Sequence, residues 1–573
     1  MSEANVSEAN PSEANPSEAN PSEAKGGRVR RAAAIVTTVL AALLVFLALV
    51  TPDQVSRLPA GSYLPAAFVR VPIDGVIVIA ILLVLPRRVR RPAAVVLGAL
   101  LGLLTVIKLI DMGFFAVLAR RFDPVLDWPL FADGYRFVKD SFGLPGAIGA
   151  VILAVLLAVG LVLAITFAVM RLTALAARHR KAAAGSVAAV AAAYVAVVAL
   201  SATFIPGVWV ASSAAADLAY DTALKIPEDI RDRDAFATEV AQDRFRDVPG
   251  DQLLTGLRGK DVVVAFVESY GRSAIDDRGL AAEVAPVLDA GTRQLTAAGY
   301  TARSGYLTSP TAGGGSWLAH STFLSGVWID NEQRYRSLVS GDRFTLTRSF
   351  GRAGFRTVGF EPGVTYAWPE AEFYGYDKVY DSHTMGYRGP SFSWSTMPDQ
   401  FVLEALQRAE LGRAQHAPTL SEVTFTSSHT PWAPVPRMVD WDTIGDGSLY
   451  GPMVANQEKA GSVWKDHAKI RSAYARSIGY SVQSLVSWLT TYGTPDTVVV
   501  FLGDHQPAPI VTGENASRDV PVTLVAHDPA VLKRIDGWGW QDGLKPGRDA
   551  PVWRMDQFRD HFLTAFGPAG DPH

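Results

Sequence analysis

Cysteine is absent from the 573 residues. That excludes disulfides, thiolate metal sites and a cysteine nucleophile, so any part of the chain facing an oxidising compartment must stand on packing alone. Charge is also scarce. Charged residues make up 19% of the chain against 49% hydrophobic, and the net charge of -3 offers neither a basic stripe for nucleic acid nor an acidic tail. The scarcity is uneven: residues 252–573 read as ordinary globular sequence, so the apolar excess lies upstream. A chain of this length has room for several domains and at least one sizeable core.

Residues 2–24 repeat a Ser-Glu-Ala-Asn-Pro unit, with Val6 in the first copy, and residues 1–27 are expected to be a disordered tail unlike a cleaved signal peptide. Five apolar stretches follow, near 32–50, 67–86, 93–117, 146–170 and 184–206, each close to the ~20 residues that cross a bilayer. Residues 28–206 therefore read as a transmembrane bundle of about five helices. Arg28, Arg30 and Arg31 precede the first stretch, Arg87, Arg88, Arg90 and Arg91 separate the second from the third, and Arg171, Arg178, Arg180 and Lys181 separate the fourth from the fifth. The positive-inside rule makes all three segments cytoplasmic, against the contrary pair Arg120 and Arg121. An odd number of crossings then puts everything after Pro206 outside. The loop 122–142 mixes Phe122, Trp128, Phe131, Tyr135 and Phe137 with charges, which suits either the headgroup layer or a packed loop. Asp74, Lys108 and Asp111 fall inside apolar spans, where isolated charges are costly, and are expected to cluster toward the bundle interior.

A linker is expected over 207–250 and a second domain over 251–573. Val262 to Val267 reads as a strand buried on both faces; similar runs recur at 357–360, 423–425 and 498–502, with helical stretches such as 470–490 between them. This alternation implies an α/β sheet covered by helices. Each run ends in polar residues: Glu268, then Glu361, then Ser427, Ser428 and His429, then Gly503, Asp504 and His505. Sites in open α/β sheets lie at the carboxyl ends of the strands. Two carboxylates and an imidazole without thiolate form a set suited to one divalent cation, Mn, Mg or Zn.

A nucleophile is sought in SPTAGGGSWLAHSTFLSG, Ser309 to Gly326. Its three glycines admit a close-approaching anion, and Ser316 starts a helix whose positive end faces that anion. Ser309, Thr311 and Ser321 are rival hydroxyls, and a serine at a helix start is ordinarily a cap. His320, one turn beyond Ser316, is assigned to packing.

In their order, VVVAFVESYGRS, the Gly-rich hydroxyl loop, FTSSHTPW and VVVFLGDHQP resemble the alkaline phosphatase and sulfatase superfamily. With helices ahead of the domain, the chain is most similar to lipoteichoic acid synthase-like phosphoglycerol transferases. The resemblance implies a sulfatase-like extracytoplasmic domain whose single metal, manganese first, is held by Glu268, Ser316, Asp504 and His505. It makes Ser316 the phosphorylated nucleophile, His429 the contact to phosphate and proton donor to the leaving group, and Trp368 a substrate contact. Pro369 and Glu370 stand where an Arg would be expected. Ser316 is followed by Trp317, Leu318 and Ala319 and lacks the C/S-x-P-x-R context of type I sulfatases, which argues against sulfate ester cleavage. The implied reaction takes glycerol phosphate from a membrane phospholipid to an envelope glycan or glycolipid; the alternative gives it to water as a phosphodiesterase. The expected place is the plasma membrane, multi-pass, with a cytoplasmic N-terminus and no nucleic-acid partner.

Overall fold

The apolar runs fold as helices, because in lipid each backbone N–H and C=O must find its partner within its own segment. A computed structural model describes residues 21–51, 71–199, 211, 212, 214–413, 415–513 and 515–568. Its N-terminal elements are α1 (Pro21–Val50), α2 (Ile73–Val84), α3 (Arg87–Leu118), α4 (Trp128–Arg178) and α5 (Arg180–Ala199). Among the described residues three helical stretches are long and apolar enough to cross a membrane, Val29–Val50, Arg87–Leu118 and Gly143–Arg178. The apolar helix α2 has 12 residues and rises only about 18 Å, short of the ~30 Å hydrocarbon core. Residues 67–70 of the second expected span and 200–206 of the fifth lie outside the described residues, as do residues 1–20 of the expected tail. Residues 21–27 are helical and continuous with α1.

Two compact units form, and neither is continuous in sequence. Met1–Asp53, Arg57–Leu109 and Pro145–Tyr220 make up one; Ile110–Leu144 and Asp221–His573 make up the bulk of the other. Within the first, Gly98 and Gly102, one turn apart on α3, lie against Thr166 and Val162 of α4. A Cβ added to either glycine would fall 2.8 Å from a backbone Cα, so this helix approach requires both. Much of the stretch read as a linker is a helix, Ala214–Ala241.

The second unit is built on a nine-stranded sheet. Its strands are β1 (Asp261–Val267), β2 (Thr301–Thr308), β3 (Arg356–Glu361), β4 (Lys378–Asp381), β5 (Thr419–Phe425), β6 (Thr497–Gly503), β7 (Asp519–Ala526), β8 (Gln541–Asp542) and β9 (Val552–Arg554). The spatial order is β8-β2-β7-β6-β1-β5-β3-β4, with β9 beside β2. The strands β6, β1, β5, β3 and β4 run parallel; β7 is antiparallel to both β6 and β2, so β2 points the same way as the parallel set. Strand alternation divides β1 between two cores. Val263, Ala265 and Val267 face Leu288 of α6 (Arg278–Ala297) and Ile478 of α8 (His467–Tyr492). Val262, Val264 and Phe266 face Leu318 and Phe323 of α7 (Ser316–Ser325). Both faces are thus covered, which is why these strands read as unbroken apolar runs. The parallel strands all point their carboxyl ends at one edge, where the polar residues emerge.

Candidate active site and metal centre

At the end of β1 the chain turns through Ser269 in the left-handed region, φ 58°. The turn brings the Ser269 N–H to Asp504 Oδ1 at 2.7 Å, and the same oxygen accepts from the His505 N–H at 2.7 Å. Glu268 receives the Ser269 hydroxyl on Oε1 at 2.8 Å. Strands β1 and β6 are hydrogen-bonded neighbours, so the two strand ends deliver Glu268, Asp504 and His505 to one point. Ligand atoms of these three lie within 4.8 Å of one another, and all three residues are buried.

The donor set fits a divalent cation. Asp504 Oδ2 is buried without a hydrogen-bond partner, an arrangement that costs free energy unless something positive meets it. His505 Nδ1 lies 2.9 Å from Gln506 O. Donation there fixes the tautomer and leaves Nε2 with its lone pair inward, 3.3 Å from Glu268 Oε1 and 3.6 Å from Asp504 Oδ2. Burial opposes charge on every member. Burial and the Glu268 charge push Asp504 above the usual carboxylate range, while His505 holds Glu268 below it despite burial. Burial works against a charged His505, but Asp504 and Glu268 raise its pKa. Two carboxylates converging on one imidazole leave a local negative excess that an ion would neutralise.

Ser316 completes the group. The loop before it holds Gly313, Gly314 and Gly315 at φ 75°, 156° and 80°, which side-chain-bearing residues rarely adopt. Released from that loop at the first position of α7, the Ser316 hydroxyl donates to Glu268 Oε2 at 2.9 Å and lies 3.2 Å from His505 Nε2. The rival hydroxyls are committed to backbone: Ser309 to Asp504 O at 2.6 Å, Thr311 to Gly314 O at 2.6 Å, and Ser321 to Trp317 O at 2.5 Å.

His429 follows β5 and is partly buried. Its Nδ1 lies 2.5 Å from Thr430 O, and the Trp394 ring stacks on it at 3.7 Å between centroids and 16° between planes. Burial lowers its pKa, opposed by the Glu268 charge, so the imidazole is neutral near pH 7. Trp394 escapes sequence reading, because an aromatic in a Ser-rich loop upstream carries no spacing signal. The ring neighbours of Trp368 among the described residues are Tyr374, at 5.6 Å, and Tyr376, at 6.4 Å.

Glu361 ends β3 and stands outside the Glu268, Asp504 and His505 group. It lies with Glu422 of β5, whose Oε2 accepts from the Tyr376 hydroxyl, and burial followed by the Glu422 charge raises its pKa. His320 stacks on Phe266 at 3.8 Å, and burial lowers its pKa to about 3, so it packs as a neutral ring. Asp74, Lys108 and Asp111 meet backbone. Asp74 accepts from Ala216 N at 3.1 Å, Lys108 donates to Ala48 O at 3.1 Å, and Asp111 accepts from Phe122 N at 2.9 Å.

Residues 260–519 match the sulfatase family model. No curated protein matches the sequence. Similar solved structures include the lipoteichoic acid synthase LtaP of Listeria monocytogenes, at 16% identity over 55% of this chain and 74% of that one, TM-score 0.36. The Streptococcus pyogenes phosphoglycerol transferase GacH in complex with sn-glycerol-1-phosphate is 13% identical over 58% of this chain and 90% of that one, TM-score 0.33. The periplasmic domain of Escherichia coli EcEptC in complex with Zn is 15% identical over 54% and 82%, TM-score 0.38.

Proposed function

On the premise of the sulfatase family match over residues 260–519, we propose a membrane-anchored phosphotransferase of the alkaline phosphatase superfamily. It moves a phosphorylated lipid headgroup, glycerol phosphate first, through Ser316 to an envelope glycan or glycolipid. The observation that carries this reading is the Ser316 hydroxyl on Glu268 Oε2 at 2.9 Å, beside the partnerless Oδ2 of Asp504.

Glu268, Ser316, Asp504 and His505 would hold one divalent ion, manganese by this reading. When bound, such an ion supplies a Lewis acid that eases loss of the Ser316 proton and offsets charge on the phosphate. Ser316 Oγ attacks phosphorus, forming the Oγ–P bond as the P–O bond to diacylglycerol breaks in line. His429 is positioned by Thr430 O and Trp394, with Nε2 toward the reaction. It is neutral beforehand, takes up the proton that Ser316 releases as the anionic phosphate approaches, and passes it to the leaving alkoxide. An acceptor hydroxyl then attacks the same phosphorus, the Oγ–P bond breaks, and the acceptor's proton returns through His429 to Ser316 Oγ. Trp368 borders the headgroup side in this reading. Arginine flanks put the N-terminus in the cytoplasm and the enzyme domain outside it.

The test is the full chain in nanodiscs with manganese and phosphatidylglycerol labelled in its headgroup. The proposal expects diacylglycerol release with label on Ser316 and then on an added glycolipid. Release with label appearing only as free glycerol phosphate would favour the hydrolase. No release from any phosphodiester would sink both.

A further inference from the structure

Residues Ile110–Leu144 belong to the same compact unit as the sheet, although they lie between two stretches able to cross a membrane, Arg87–Leu118 and Gly143–Arg178. Two features fix where they stand. At one end, Val117 and Leu118 press on the nucleophile loop: a Cβ built on Gly313 would fall 1.7 Å from Val117 O, and one on Gly314 would be 3.3 Å from Leu118 Cδ2. At the other, the Arg136 guanidinium lies 5.7 Å from the ring centre of Tyr366, on the loop that carries Trp368. The segment therefore borders the loop before Ser316 and the loop before Trp368 at once.

Its interior is tied down. Arg120 grips Asp127 through two bonds of 2.6 and 2.8 Å, Asp123 N donates to Asp127 Oδ2 at 2.7 Å, and Val125 N and Leu126 N donate to Asp123 Oδ1 at 2.8 and 3.1 Å. Phe114, Phe122, Trp128 and Phe131 interlock with centroids 5.1 to 6.5 Å apart. Its outer surface nonetheless leaves Trp128 60% and Phe137 49% exposed. At Gly143 (φ 75°, ψ 171°) α4 breaks direction and enters the apolar stretch. A short connection tethered at both ends to membrane spans stays at the membrane surface. Exposed aromatics beside Arg121, Arg136 and Lys139 are the composition that surface selects.

We propose that residues 111–137 form a shelf lying in the headgroup layer, which sets the Ser316 loop at the depth of lipid phosphodiesters so that the donor is taken in place from the bilayer. This rests on the proposed use of a lipid donor. The occupant of the exposed aromatic face is the bilayer itself, because the same helices that bear the face continue into it.

Because the chain has no cysteine, a nitroxide can be placed at single sites of the full protein. Trp128→Cys and Phe131→Cys are labelled in phosphatidylglycerol-containing nanodiscs, with Thr490→Cys, exposed at the opposite edge of the sheet, as control. Power saturation with oxygen and a nickel chelate should place the shelf labels ~5–10 Å into the headgroup–acyl boundary and the control in water. Shelf labels as accessible to nickel as the control would overturn the proposal. In parallel, Trp128→Glu/Phe131→Glu should lower the ratio of turnover on bilayer phosphatidylglycerol to turnover on soluble bis(p-nitrophenyl) phosphate at least tenfold. An unchanged ratio would also overturn it. Wild-type turnover of the soluble diester without any turnover of lipid would instead refute the donor, leaving the depth measurement to judge the shelf.

Discussion

The Ser316 hydroxyl donates to Glu268 Oε2 at 2.9 Å, joining the first turn of α7 to the end of β1. Ser316→Ala should lose at least ~10³-fold in turnover and take up no label, with the fold intact by circular dichroism. Ser316→Thr, which keeps a hydroxyl, should retain part of the activity. An alanine variant with wild-type turnover on every phosphodiester would remove Ser316 from the chemistry.

Metal dependence follows from the partnerless Asp504 Oδ2 and the inward Nε2 of His505. Manganese at about 100 times its dissociation constant should stabilise the wild type by ~2.7 kcal/mol, seen as a rise in Tm that a chelator reverses. Asp504→Asn and His505→Gln should largely abolish that rise. Equal rises in wild type and both variants would place the ion elsewhere.

Trp394 is expected to act through His429. Removing the ring exposes the imidazole and relieves the burial that lowers its pKa. Trp394→Ala should therefore cut kcat ~10-fold or more with little change in KM, and move the pH-profile limb governed by His429 to higher pH. Trp394→Phe should restore most of both. A pH profile unmoved by the alanine change would reduce Trp394 to packing.

Acid lability should centre partly on Glu410. Arg356 holds it through bonds of 2.7 and 2.8 Å, and the Tyr380 hydroxyl adds one of 2.6 Å. Burial raises its pKa, but these partners outweigh burial and keep it below the ordinary value of 4.5. A folded pKa below the unfolded one gives stability that is present above that value and lost as pH falls through the folded pKa. Glu410→Gln should cost ~1–2 kcal/mol at pH 7, discounted for the partial exposure of Arg356, and the gap to wild type should narrow at a pH below the ordinary carboxylate range. Denaturant titrations at the two pH values decide it, since an equal gap at both would contradict the assignment.

The strands β1, β5 and β6 were legible because sheets buried on both faces need unbroken apolar runs, and their polar ends named Glu268, Asp504, His505 and His429. Ser316 was legible through its glycines, which serve a local backbone need. Other features had no such trace. Glu361 follows an apolar run as Glu268 does, yet its neighbours are Glu422 and Tyr376, a matter of register between β3 and β5 that no single stretch reveals. Trp394 meets His429 only through tertiary folding. The periodicity of 93–117 showed an apolar span, but not that its last residues would press on Gly313, far along the chain.

Among the described residues the boundary between the units is crossed at Leu109–Ile110, Leu144–Pro145 and Tyr220–Asp221. The catalytic half is consequently not a cassette that one cut releases. A fragment starting in the helix after Ala214 would carry all nine strands and the Glu268 group, yet lack Val117 and Leu118 against the glycine loop. Such a fragment, once folded, would still lack one wall of its loop, so its kinetics would describe the excision as much as the enzyme. Swapping the head between relatives would need the connection between the third and fourth helices to travel with it.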